Sequence, residues 1–176
     1  MSSSLPSRQQ ALRLLKKARC SPAVIAHCKA VSELAVEIAD ACRKKGLQVD
    51  VDLVRTGALL HDIGRSRTHS VDHVVTGAEI ARTEGLPESV VSIISRHVGG
   101  GITAEEAKKL GWPEGTYSPE TLEEKIVSYA DKIVGASERG SIQTTVDKLR
   151  QEKLDTAANR VLKLHGEITR LIGEIP

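Results

Sequence analysis

Six histidine and aspartate side chains occupy the apolar faces of predicted helices, where a polar group needs a partner. His27, for example, is followed by Val31 at i+4 and Leu34 at i+7, so it belongs to a buried stripe. Burying ionised carboxylates alone is costly, whereas a cation among them removes that cost. Helical bundles commonly hold metals between side chains of facing helices. The pattern therefore predicts a divalent-metal site formed by His27, His61, Asp62, His73, His97 and Asp131.

Each of these residues also has an ordinary structural explanation. A lone histidine on an apolar face is more often a hydrogen-bonded core residue than a ligand, and Asp131 alone could pair with a nearby lysine. Asp62 is different, because the helix dipole disfavours a carboxylate near a helix C-terminus. Since all six side chains fall on inward faces of five predicted helices, we favour one metal site over six separate structural roles.

Helical periodicity covers almost the whole chain and strand-like alternation is hard to find, so we predict an all-α fold, a compact helical bundle. Capping residues, glycines and prolines divide the chain into helices. The predicted helices span residues 7–18, 21–45, 51–62, 70–84, 87–97, 104–110 and 118–134. We expect the glycines at 99–101 to form a mobile turn at the mouth of the site.

The C-terminal part of the chain has a different apolar pattern. Apolar residues recur there with 3,4 spacing at Leu154, Ala157, Val161, Leu164, Ile168, Leu171 and Ile175. This heptad run is short for an independent coiled coil, so a helix docked on its own domain is favoured, and a homodimer through this helix is the alternative. The predicted organisation is an N-terminal helix on the core over 1–20, the functional core over 21–142 and one C-terminal amphipathic helix over 143–176.

Composition argues against several function classes. The chain has 176 residues, and 25 Lys and Arg against 23 Asp and Glu give a formal charge of +2, too small to indicate a nucleic-acid or membrane partner. The chain has no Phe, so a base-stacking platform is not expected. Three cysteines without a CxxC pattern indicate reduced thiols. Since no apolar run suits a membrane span or a signal peptide, we expect a cytoplasmic protein.

The segments GALLHDIGR and SYADKIV, with His27 upstream, resemble the HD-domain phosphohydrolase superfamily. The further histidines in DHVVTGAEIA and SIISRHVGGG look like those of the subset that holds two metals, such as the bacterial HD-type diadenosine tetraphosphatases. The whole pattern is most similar to small archaeal HD proteins of undefined substrate. The resemblance covers residues 21–135, and it implies an HD-type bundle to which the C-terminal helix is an addition.

The resemblance also implies a role for each matching residue. The implied ligands are His27, His61, Asp62 and Asp131 for a first ion, and Asp62, His73 and His97 for a second. These ligand types suit Fe or Mn, with Ni, Co, Zn or Mg as alternatives. Asp62 and Arg65 are the implied catalytic residues, with Arg65 as a phosphate clamp, although a solvated loop arginine is an equal alternative. His69 is expected to be an exposed loop histidine rather than a contact to substrate, and for Lys132 a structural role is favoured.

The ligand set and the resemblance together imply a hydrolase of small-molecule phosphoesters or phosphoanhydrides, with a nucleotide as the expected substrate. A divalent ion suits this reaction because it lowers the pKa of its water from about 16 towards about 7 and neutralises phosphate oxygens. One alternative is a catalytically silent module that binds metal and nucleotide as a sensor. Another is a di-iron oxygenase, which would need extra ligands that the sequence does not offer.

Overall fold

The computed structural model describes residues 4–175, and this part of the chain contains nine α-helices, two short 3₁₀ turns and no strand. The helices are α1 (Arg8–Lys17), α2 (Pro22–Lys44), α3 (Val51–Leu60), α4 (His73–Thr83), α5 (Glu88–Arg96), α6 (Ala104–Lys109), α7 (Leu122–Ile133), α8 (Ile142–Gln151) and α9 (Asp155–Ile172). The predicted all-α fold is confirmed. Residues 1–3 and 176 of the two predicted end segments lie outside the described residues.

Most helix starts follow from capping side chains, which accept hydrogen bonds from first-turn N–H groups. Ser21 and Asp50 cap α2 and α3 as predicted. The start of α7 was predicted wrongly at 118: the helix begins at Leu122, because Thr121 and Glu124 form a reciprocal capping box. The predicted start of the next helix at residue 70 is also wrong, since α4 begins at His73.

Helix α2 lies at the centre of the largest apolar cluster and packs against α3, α7 and α9. Its inner face buries Val31, Leu34 and Ile38 completely. The main polar group in this core is the phenol of Tyr129, which is fully buried and hydrogen-bonded to His165 Nδ1 at 2.6 Å. A buried hydroxyl needs such a partner, so His165 has a structural role in this core.

The C-terminal segment is a helical hairpin, so the prediction of a single helix over 143–176 is wrong. Helix α8 ends at Gln151, a turn follows, and α9 begins at Asp155. Lys153 in this turn has a φ of 60°, a left-handed conformation that most L-residues avoid. The heptad residues Val161, Leu164 and Ile168 are buried within their own domain. Dimerisation through this segment therefore remains a prediction.

The three cysteines are free and buried, which agrees with the thiol interpretation of the sequence. Within residues 4–175, no helix combines the length and the apolar character that crossing a membrane requires.

Candidate metal centre

Four buried or half-buried histidines share one hydrogen-bonding arrangement: Nδ1 of each ring lies 2.7 Å from a backbone carbonyl oxygen. The pairs are His27 with Gly135, His61 with Ala58, His73 with Ser70, and His97 with Ile94. A carbonyl only accepts, so each Nδ1 carries the ring proton and donates it. Each Nε2 is therefore left with a lone pair, the state in which histidine binds metals.

Local backbone geometry fixes three of these four rings. In each of the three, the accepting carbonyl belongs to the residue three positions before the histidine. His61 and His97 are the C-cap residues of α3 and α5, and His73 is the first residue of α4. His27 is held differently, because its carbonyl partner Gly135 follows α7, 108 residues later. Folding of α2 against α7 thus orients the fourth ring.

The Nε2 atoms converge on the carboxylates of Asp62 and Asp131. Oδ1 of Asp62 lies 3.1 Å from His73 Nε2 and 3.5 Å from His97 Nε2. Its Oδ2 faces the other pair, 3.7 Å from His61 Nε2 and 3.9 Å from His27 Nε2. Asp62 therefore stands between two pairs of imidazoles, the position that a bridging carboxylate needs.

Asp131 completes one side of this arrangement. Its Oδ1 lies 3.0 Å from His27 Nε2 and 3.4 Å from His61 Nε2. Two groups of three have ligand atoms within 4.8 Å of one another: His27 with His61 and Asp131, and His61 with Asp62 and His97. The structure thus brings together all six residues that the sequence singled out, and they could hold a metal.

Polar atoms in this cluster lack hydrogen-bond partners. If the residues form a metal site, a cation should satisfy these atoms. His61 Nε2 and Asp62 Oδ1 are buried and unpartnered. His73 Nε2 and His97 Nε2 face each other at 3.2 Å, although both rings already donate from Nδ1. Unpaired buried polar atoms are rare because they are costly. A divalent cation would satisfy them, so the residues fit a metal.

The pKa directions describe the same crowding of charge. Burial would raise the pKa of Asp62, but the charge of His61 and the adjacent imidazoles of His73 and His97 hold it well below its usual range. Burial likewise opposes ionisation of Asp131, yet Lys132 and His27 lower its pKa. Burial lowers the pKa of His97 to about 4. Both carboxylates are therefore anions at neutral pH.

His61 responds to these anions in the opposite direction. Burial alone would lower its pKa, but the negative charge of Asp62 raises it well above the usual value. In the absence of a cation, a proton on His61 is the available way to offset two buried carboxylates. A metal ion would displace that proton, since binding of a cation to imidazole requires the neutral ring.

Arg65 and Lys132 each pair with one of the two carboxylates. Arg65 donates from Nε to Asp62 Oδ2 at 2.8 Å and from Nη1 to the His69 carbonyl at 3.2 Å. Lys132 forms an ion pair with Asp131 Oδ2. The Arg65 side chain is 29% exposed, so it reaches solvent beside the cluster. Its role as a phosphate clamp and the role of His69 remain predictions.

A cleft of about 1080 Å³ opens over the cluster, and more than a third of its lining residues belong to a segment for which the sequence analysis predicted no functional role. His27, Asp62 and Asp131 line one part of it, together with Arg65 and His69. Helices α8 and α9 and the turn between them form another wall. A heptad pattern signals only packing, so no feature of the sequence pointed to this wall.

The turn formed by Gly99, Gly100 and Gly101 lies close to α9, because a Cβ on Gly100 would lie 3.1 Å from the backbone of Arg160. The mobility expected for this turn remains a prediction. Nearby, Trp112 donates to Asp72 Oδ1 at 2.7 Å, and its side chain does not line the cleft.

Comparison with known proteins identifies the family of this chain, two relatives and a protein of similar fold. Residues 24–136 match the HD domain family model. An uncharacterized protein of Methanocaldococcus jannaschii is 48% identical over 93% of this chain and 98% of its own length. A tRNA (cytidine(56)-2'-O)-methyltransferase of Thermoplasma volcanium is 45% identical over 97% of this chain, which spans only 49% of that relative.

Among solved structures, the HD domain of the L. monocytogenes phosphodiesterase PgpH, in complex with cyclic-di-AMP, superimposes with a TM-score of 0.57. The match covers 92% of this chain and 98% of that domain, with 19% sequence identity. At this identity the likeness concerns the fold, and it agrees with the all-α bundle described above.

Proposed function

Because the chain belongs to the HD domain family, we propose that it is a metal-dependent phosphohydrolase that cleaves a phosphodiester bond in a nucleotide substrate. One observation carries the proposal: four imidazole Nε2 atoms and two carboxylates meet beneath a cleft, with His61 Nε2 and Asp62 Oδ1 buried and unpartnered. Packing of the helices alone does not explain why these polar atoms are buried without hydrogen-bond partners. A pair of divalent ions bound among them would explain it.

The residues that would hold the ions follow from the contacts. His27, His61 and Asp131 form one group, and His73 and His97 face Asp62 Oδ1 from the other side. Divalent ions bound there would supply Lewis acidity, which lowers the pKa of water and neutralises phosphate oxygens. Imidazole with carboxylate suits Fe or Mn, and Ni, Co, Zn and Mg are the alternatives for the test.

The chain's own groups then have distinct tasks. The Nδ1 hydrogen bonds fix the four rings, so that little reorganisation is needed when ligands bind. Arg65 orients Asp62 and also lines the cleft, where its guanidinium can meet a phosphate oxygen. The apolar residues Val71, Val98 and Leu149 line the same cleft and limit the access of water around the bound substrate.

The substrate class is supported by the protein of similar fold. PgpH is a phosphodiesterase, and its HD domain was solved with cyclic-di-AMP. The cleft of this chain, at about 1080 Å³, is slightly larger than the usual range for small-molecule sites, about 300–1000 Å³. A dinucleotide is a substrate of suitable size, and we propose this class.

An RNA substrate is a second candidate, which one relative favours. The chain is 45% identical to about half of a tRNA methyltransferase, so a segment related to this chain is part of a protein that acts on RNA. The small net charge of +2 argues against it, since RNA binding usually relies on many phosphate contacts. A substrate panel that includes both dinucleotides and oligoribonucleotides distinguishes these two substrate classes.

The test measures metal content and turnover together. Purified protein, reconstituted with Mn, Fe, Co, Ni, Zn or Mg, is offered cyclic and linear dinucleotides, mononucleotides and short RNA. We expect hydrolysis of a dinucleotide with at least one metal. Asp62→Ala should lose both bound metal and turnover, whereas Asp40→Ala, an exposed residue on α2 outside the cleft, should keep both.

Other outcomes identify the alternatives. Tight nucleotide binding without turnover in every metal would replace the hydrolase with a sensor module. Oxygen consumption that depends on reduced iron would indicate the oxygenase. Unchanged turnover in Asp62→Ala would refute the proposed site.

A further inference from the structure

The α8–α9 hairpin supplies a wall of the cleft that the metal centre does not explain. Leu149, Lys153 and Leu154 come from the end of α8 and the turn, and Arg160 comes from α9. Leu154 is 48% exposed, an uncommon state for a large apolar side chain that lines a cleft. This wall therefore offers both apolar surface and positive charge to a ligand that already reaches the His/Asp cluster.

Arg160 is the notable cation of this wall. Its side chain is only 20% exposed, and its Nη2 donates to Glu106 Oε1 at 3.1 Å. Its Nε is buried and has no hydrogen-bond partner among the described residues. The bond to Glu106 uses one of the five N–H groups of the guanidinium. The exposed fifth of the side chain faces the cleft, where its remaining donors can meet an acceptor on a ligand.

The position of Arg160 is rigid, which a binding residue requires. A Cβ added to Gly100 would lie 3.1 Å from the carbonyl carbon of Arg160 and 3.2 Å from its Cβ, so the turn that follows His97 packs closely against α9 at this residue. Glu106 is itself fixed, because its side chain accepts from Thr103 N–H in the capping box of α6. The ion pair thus holds the guanidinium in one orientation at the cleft.

The other two cations next to the cluster differ from Arg160. Arg65 donates its Nε to Asp62, and Lys132 pairs with Asp131. Their charge is offset by metal-site carboxylates. Arg160 instead pairs with Glu106, which lies outside the His/Asp cluster, and part of its guanidinium lines the cleft. A phosphate oxygen is the acceptor that best matches this planar donor group.

We propose that Arg160 binds a second phosphate of the substrate, one that is not cleaved. This inference rests on the proposed function and narrows its substrate to dinucleotides with a terminal phosphate. The neighbouring aliphatic side chains Val98, Ile102 and Leu154 give the intervening nucleoside an apolar surface. The cleft has the volume for both parts of such a molecule.

The experiment compares two substrates that differ by one phosphate: the dinucleotide ApA and its 5′-phosphorylated form pApA. With the active metal, wild type should show a kcat/KM for pApA about 10- to 100-fold above that for ApA, the range expected for charge-assisted hydrogen bonds to phosphate. In Arg160→Ala this ratio should fall to about one. Lys163→Ala, an exposed residue of α9 outside the cleft lining, should keep the wild-type ratio.

Glu106→Gln distinguishes recognition of phosphate from a merely structural ion pair. It removes the negative charge of residue 106 but keeps an amide oxygen that can accept from the guanidinium and hold its orientation, so the preference for pApA should persist or increase. If Glu106→Gln and Arg160→Ala lose the preference equally, Arg160 only joins α9 to α6 and the inference is wrong.

A binding measurement separates failure of this inference from failure of the proposed function. Titration calorimetry in EDTA, where metal-dependent turnover cannot occur, measures the affinity of each dinucleotide for wild type and Arg160→Ala. A tighter binding of pApA that is lost in Arg160→Ala supports the inference. If no metal yields turnover, only the proposed function is contradicted. Equal affinity of wild type for ApA and pApA would overturn the inference.

Discussion

Arg65 donates its Nε hydrogen to Oδ2 of Asp62 at 2.8 Å, one turn after that aspartate in the chain. The other carboxylate oxygen, Oδ1, faces His73 Nε2 at 3.1 Å. The arginine therefore fixes the rotation of a carboxylate that lies between two groups of imidazoles. It acts on the candidate metal centre through Asp62, whatever contact it makes with substrate.

This contact gives the first prediction. Arg65→Ala should lower turnover by about 10- to 100-fold, the usual effect of removing a residue that orients a metal ligand. Metal content should fall little, because the histidines and carboxylates remain. Arg65→Lys should recover part of the loss, since it keeps the charge but not the planar donor group. Steady-state kinetics and metal analysis on the same preparations provide the check. Wild-type turnover in Arg65→Ala would exclude this role.

The sequence predicted the helices that position the centre because their signals are local. Caps such as Ser21 and Asp50 specify helix starts by contacts within a few residues. The inward placement of His27 and Asp131 follows equally from periodicity on their own helices. The sequence could not give the distances between these groups, which depend on how α2, α3 and α7 pack together.

The C-terminal hairpin shows what local signals miss. The heptad pattern continues through Leu154, although the chain turns there and Lys153 adopts a positive φ. A Schellman-type end forms at this point, with Leu154 N–H bonded to the Leu149 carbonyl at 2.8 Å, and lysine gives no sequence signal for it. That α9 would pack on Gly100, and that Arg160 would reach the cleft, depended on tertiary contacts alone.

Close packing of Gly64 beneath the centre gives a second prediction. A Cβ at Gly64 would lie 1.9 Å from the carbonyl oxygen of His73. Gly64→Ala should therefore displace the start of α4, reduce metal content and lower the free energy of unfolding by about 1–3 kcal/mol or more. Gly166→Ala is the matched control, because nothing lies within 4 Å of its Cβ position in α9. It should raise that free energy by about 0.5–1 kcal/mol. Urea unfolding of both variants measures the contrast.

The end of α1 provides a prediction with an internal control. Arg19 has a φ of 67°, and Cys20 N–H bonds to the Leu15 carbonyl at 3.0 Å, so the arginine occupies a position that favours glycine. Arg19→Gly should increase the free energy of unfolding by about 1 kcal/mol. Arg13→Gly, inside α1, should decrease it by a similar amount, because glycine is a poor helix former. Changes of the same sign in the two variants would contradict this explanation.

Burial of Cys20 gives a prediction about pH. Burial, with smaller contributions from Cys28 and Asp62, raises the pKa of its thiol to about 11 from 9.0. The pKa of the Cys20 thiol is higher in the folded state than in the unfolded chain. The contribution of the neutral thiol to the free energy of unfolding is therefore complete below about pH 9 and is lost as the pH rises towards 11. At pH 8 the native thiol should therefore resist iodoacetamide, and it should react fully in guanidinium chloride.

An exposed thiol serves as the reference for this reaction. Ser89→Cys places one on the surface of α5, and that variant should be alkylated once under native conditions. Mass spectrometry counts the modified cysteines. Rapid labelling of Cys20 in the native protein would show that the region between α1 and α2 opens readily.

Metal binding should stabilise the fold, because the cation offsets two buried carboxylates and its ligands come together only in the native state. At a free-metal concentration of about 100 times Kd, metal binding should raise the free energy of unfolding by about 2.7 kcal/mol. For a chain of this size that corresponds to a rise in Tm of roughly 5–10 °C, which EDTA should reverse. Differential scanning calorimetry across a metal series measures it. In Asp131→Asn the rise should be smaller, whereas Asp40→Ala should behave like wild type. An identical rise in a variant lacking both His61 and Asp62 would show that the stabilising metal binds elsewhere.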